Sequence, residues 1–134
     1  MSQIVDVEGI GPTYGAKLEA AGVKTTDALL ERCARPKGRH ELAEATGITE
    51  KLILHWVNRV DLARIKGVGS EYADLLESAG VDSAVDLAQC VPATLMTTLQ
   101  STNKSKHLVR RLPTESDVEH WIVEAKALPK VVKY

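Results

Sequence analysis

The chain has 134 residues, with 17 Lys and Arg against 18 Asp and Glu for a net charge of -1. Hydrophobic residues make up 44% and charged residues 26%, the balance of a chain that folds around a core rather than one that stays disordered. No apolar run approaches the roughly 18–20 residues that span a bilayer, and the charge balance gives no support to a generic polyanion binder.

Residues 1–30 hold no cationic start followed by an apolar block. With only two cysteines, a reducing cytoplasm is expected rather than a disulfide-stapled secreted scaffold. Phe is absent and aromatic residues are few, so the core must be aliphatic.

In chain order the local signals are helical. Pro12 suits the first turn of a helix after Gly11, where the amide it lacks has no partner to lose. Tyr14, Leu18 and Ala21 fall on one face at spacings of four and three, and Gly22 supplies a left-handed stop. Thr25 or Thr26 caps a second helix carrying Leu29, Leu30 and Cys33. A short helix is expected over residues 40–46, ending at Gly47. Thr49 then caps a longer one whose stripe Leu52, Ile53, Trp56, Val57, Val60 follows the helical period. The second half repeats this order and stops at Pro129. No stretch alternates long enough for a strand, so an all-α fold is predicted.

The repetition is explicit. Shifted by 58, residues 7–29 match 65–87, pairing Gly9 with Gly67, Gly11 with Gly69, Tyr14 with Tyr72, Leu18 with Leu76 and Gly22 with Gly80. Shifted by 65, Thr49, Glu50, Ile53, His55, Trp56 and Val57 match Thr114, Glu115, Val118, His120, Trp121 and Ile122. The change of shift places about seven extra residues between Ala88 and Pro113. Two matches in the same order imply duplication. The expected organisation is a first repeat over 1–62, a second over 63–128, both sharing one core, and a C-terminal tail over 129–134.

Val7-Glu8-Gly9-Ile10-Gly11 and Ile65-Lys66-Gly67-Val68-Gly69 share the form apolar-x-Gly-apolar-Gly before a helix, with Ile10 and Val68 as core plugs. The pattern resembles the helix–hairpin–helix motif. That resemblance implies a pseudo-symmetric module that holds the phosphates of duplex DNA. Missing side chains let a hairpin approach a phosphate, and the amides opening the next helix form an anion site with the helix dipole behind them. Together with Leu108-Val109-Arg110-Arg111-Leu112-Pro113, Val118, Trp121-Ile122 and Ala125-Lys126, the chain resembles a bacterial helix–hairpin–helix family known as a domain of unknown function. The first half departs from the Arg-Arg pattern, carrying Ala45-Thr46-Gly47-Ile48 instead.

Candidate nucleic-acid contacts are Gly9, Gly11, Thr13 and Lys17 at the first hairpin and Lys66, Gly67, Gly69 and Ser70 at the second. Glu71, opening the helix after the second hairpin, repels a phosphate there, so the first is favoured. Residues 87–114 contain no acid but hold Lys104, Lys106, Arg110 and Arg111; the corresponding part of the first half holds Arg32, Arg35, Lys37 and Arg39. If these stretches share a face with the hairpins they add phosphate contacts; otherwise they are solvated or satisfy helix carbonyls. No long basic helix enters a major groove and aromatic residues are too few to stack single strands.

No phosphate loop, His-Glu-x-x-His, Cys-x-x-Cys or nucleophile elbow occurs. Cys33 and Cys90 are expected as buried thiols and Trp56 and Trp121 as core. The expected function is non-enzymatic binding of double-stranded DNA through its backbone, with no cofactor, metal or membrane. The alternative is a protein-interaction or scaffolding module whose hairpins only pack.

Overall fold

Prolines and hydroxyl side chains decide where most of the helices begin. The structure, a computed structural model, describes residues 3–7 and 9–133, without the side chains of Asp6 and Ser70. After a 3-10 turn at Ile4–Asp6, α1 runs Gly11–Ala20 with Pro12 in its first turn. Helix α2 (Thr26–Cys33) starts where the Thr25 hydroxyl accepts the Ala28 N–H at 3.1 Å. Helix α3 is Pro36–Thr46, closed by Gly47 at φ 76°. The Thr49 hydroxyl accepts the Leu52 N–H at the start of α4 (Glu50–Ala63).

The second half gives α5 (Ser70–Ser78), α6 (Ala84–Ala88, capped by Ser83), α7 (Pro92–Lys106) and α8 (Glu115–Ala127, capped by Thr114). The fold is all-helical: among the described residues the only extended pairing is an isolated bridge between Gln3 and Thr25.

Helix α3 begins four residues before its expected start, because Pro36 opens it as Pro92 opens α7. The extra length of the second half goes into α7, 15 residues against 11 in α3, and into the connection 107–114.

The chain divides into two compact units: Met1–Asp61 with Val131–Tyr134, and Leu62–Lys130. The expected single shared core is replaced by two clusters. One gathers Ile4, Ile10, Leu18, Leu29, Cys33, Leu42, Ile53, Trp56 and Val57. The other gathers Val68, Leu75, Leu76, Leu87, Leu95, Leu99, Val118, Trp121 and Ile122. Each half supplies its own tryptophan, hairpin plug and helical stripes, enough apolar surface to close separately.

Part of the segment expected as a tail is packed. Val132 is buried among the first unit's core residues, and the Lys133 N–H donates to the Ala34 carbonyl at 2.7 Å. In the first unit α2 packs on α3 and α1 on the 3-10 turn; in the second, α6 and α7 pack on α8 and α5 on α7.

Candidate nucleic-acid interface

Each hairpin is a turn plugged from below by one aliphatic side chain. In the first, Ile10 is buried and its N–H closes the turn on the Val7 carbonyl at 3.0 Å. Gly9 takes φ 92° and Gly11 φ 65°, left-handed values that a side chain would strain. Gly9 is exposed, and a Cβ placed on Gly11 would meet nothing within 4 Å. Beneath the turn lies the edge of Trp56, whose Nε1 stands 3.8 Å from a Cβ placed on Gly9, and Tyr14 meets the same indole at 5.2 Å between ring centroids. The first turn of α1 carries no acid, Lys17 lies in its last turn, and Thr13 and Lys17 are exposed.

The second hairpin repeats the scaffold. Val68 is buried, its N–H reaches the Ile65 carbonyl at 3.1 Å, and Gly67 takes φ 92°. Trp121 lies beneath with Nε1 3.1 Å from a Cβ placed on Gly67, and Tyr72 packs on it at 5.2 Å.

The electrostatics differ. The Lys66 main-chain N–H donates to Glu124 Oε1 at 3.1 Å, and Glu71 stands in the first turn of α5. Gly69 is extended at φ -93°, unlike its left-handed counterpart Gly11. Gly67, Gly69 and the Lys66 side chain are exposed, while the side chain of Ser70 falls outside the described residues.

The second basic stretch is held by three clamps within its own unit. Asn103 donates to the Val109 carbonyl at 3.1 Å and accepts the Val109 N–H at 3.0 Å. Tyr72 Oη donates to the Arg111 carbonyl at 3.1 Å, which brings this segment to the first turn of α5. Thr114 and Asp117 cap α8 reciprocally, at 3.0 and 2.9 Å. Thr114's main-chain and side-chain hydrogen bonds hold the Asp117 carboxyl below its ordinary range, helped by Arg111 and His120. Arg110 and Arg111 stay exposed, as do Lys104 and Lys106 in the last turn of α7, where cations offset the negative end of the helix dipole.

The first basic stretch is spread along the end of α2 and the start of α3, and two of its cations serve the fold. Arg39, only 5% exposed, donates to the carbonyls of Cys33, Ala34 and Lys133, and Arg32 donates to the Ala21 carbonyl at the end of α1. Arg35 and Lys37 are exposed.

Of the thiols, Cys33 is fully buried and burial pushes it up to about 11 against the pull of Arg32 and Arg39, which leaves little reactive thiolate. Cys90 is only half-buried, short of the expected full burial, and donates to the Asp86 carbonyl at 3.3 Å. Among the described residues no group of three or more His, Cys, Asp or Glu is placed to hold a metal ion, and no helix is long and apolar enough to cross a membrane.

Sequence reasoning passed over Glu124, Asn103 and the Tyr72 hydroxyl. The shift of 65 carried a signal for the first, since it pairs Glu124 with Arg59 and so reverses the charge at matched positions of α8 and α4.

No curated protein and no solved structure matches the chain. A family model does, over residues 8–128, which takes in α1 to α8, both basic stretches, the second hairpin and the first from its second residue on. The chain belongs to the family described as Domain of unknown function (DUF4332).

Proposed function

We propose that this chain is a non-enzymatic, cytoplasmic tandem helix–hairpin–helix module that binds duplex nucleic acid through its phosphates without sequence preference. The observation that carries the reading is the first hairpin. Its two glycines are left-handed and carry no side chain, its plug is buried, no acid stands in the first turn of α1, and Lys17 is exposed on the same helix. Main-chain amides at such a corner bind an anion with the helix dipole behind them. Arg110 and Arg111, displayed by the clamped segment beside α5, and Lys104 and Lys106 add electrostatic attraction. Binding of this kind falls at about 10⁻⁴–10⁻⁶ M at physiological salt and weakens steeply as salt rises.

A fluorescence-anisotropy titration with a duplex of about 20 base pairs at low salt tests the reading. Saturable binding is expected, and Lys17→Glu weakens it while reducing the slope of affinity against salt by about one ion. No binding at tens of micromolar protein removes the proposal. The protein-interaction reading draws on one observation, the pair of carboxylates at the second hairpin, Glu71 and Glu124. It predicts a pull-down that returns one protein at a yield unchanged by nuclease.

A further inference from the structure

The two hairpins share a scaffold and differ in what already occupies it. The Lys66 N–H, at the entrance of the second hairpin, donates to the carboxylate of Glu124, 58 residues away on α8. Trp121, three residues before Glu124, lies under Gly67. The same helix thus supplies both the floor of the turn and an anion at its entrance.

At the first hairpin Trp56 supplies the equivalent floor from α4. The α4 position three residues on is Arg59, a cation where α8 has an anion. The first turn of α1 has no acid, whereas that of α5 has Glu71.

We infer that Glu124 is a tethered anion that closes the second hairpin to phosphate. The inference rests on the phosphate-binding reading of the hairpins and assigns their specificity to a single residue. A carboxylate already receiving the hairpin N–H must be displaced before a phosphate oxygen can take its place. The displaced charge, together with Glu71, then stands close to the incoming anion and repels it. The exposure of Gly67 and Gly69 leaves the second turn sterically accessible, so electrostatics rather than shape closes it.

The test uses the full chain, isotopically labelled, beside Glu124→Ala and Glu124→Gln, each checked for unchanged helicity. In the first arm, exchange of the Lys66 amide accelerates on the order of tenfold in Glu124→Ala, and an unchanged rate overturns the inference. In the second arm, a duplex of about 20 base pairs shifts the amide signals of Gly9 and Gly11 in the parent and leaves Lys66 and Gly67 still. In Glu124→Gln both sets respond and affinity rises on the order of tenfold, a gain of about 1.4 kcal/mol. Lys66 and Gly67 shifting in the parent as strongly as Gly9 overturns the inference. Silence of Gly9 and Gly11 in all three proteins instead overturns the nucleic-acid reading, while the exchange arm still decides whether Glu124 holds the hairpin.

Discussion

Glycines 9 and 67 hold the same backbone angle over the same kind of floor, yet with different clearance. The indole nitrogen stands 3.8 Å from a Cβ placed on Gly9 and 3.1 Å from one placed on Gly67. Any side chain at either site costs roughly 1–3 kcal/mol for the left-handed backbone. Gly67→Ala also pushes on a ring that is itself buried in the second core. In urea denaturation Gly67→Ala is therefore expected to lose more stability than Gly9→Ala, and equal losses would show that the indole does not limit the turn. Arg39 shows the opposite use of a residue marked out by sequence. Its charge reads as a surface contact, but the guanidinium is buried and satisfies three carbonyls, so it is withdrawn from any partner. Lys17, Arg110 and Arg111 differ from it in exposure, a property the residue type does not carry.

Among the elements, α8 does the most. It begins with a reciprocal cap, contributes Val118, Trp121, Ile122 and Ala125 to the core, and presents Glu124 to the hairpin. Removing the cap hydroxyl in Thr114→Ala is expected to cost about 1 kcal/mol. The partner carboxylate gives that cap a pH dependence. Asp117 titrates lower in the folded protein than in the unfolded chain, so its contribution is present above the unfolded carboxyl's range, near pH 4, and is lost as pH falls through the lowered folded value. Asp117→Ala should melt below the parent at neutral pH and converge with it as pH falls below the lowered folded value of Asp117. A gap that persists in acid would contradict the assignment. The same cap anchors the far end of the segment that displays Arg110 and Arg111, whose near end Asn103 holds. The basic stretch is therefore a fixed surface feature, built by the residues that the second half has in excess.

For the molecule as a whole, the chain leaves the first unit at Asp61 and returns to it at Val131. Val132 is 2% exposed, so Val132→Ala removes two methyl groups from a closed core and is expected to cost about 2 kcal/mol in chemical denaturation. A loss under about 0.5 kcal/mol, the level of an ordinary surface substitution, would mean that the burial of Val132 does not hold this segment to the first core. Nothing local marks the segment for burial: Val131-Val132 is too short for a periodic pattern, and its partner, the buried Arg39, lies more than ninety residues earlier. The helices, their caps, the bare corners and their plugs were legible in the sequence because each rests on residues within one or two turns: a proline at a helix start, a glycine past its end, an aliphatic between two glycines. Tertiary structure alone decided which cations stay in water, that two cores form instead of one, and that a carboxylate on α8 sits at one hairpin's amide. Each of those outcomes depends on groups that meet only after the helices pack, and helical periodicity fixes which face is buried but not which partner it meets.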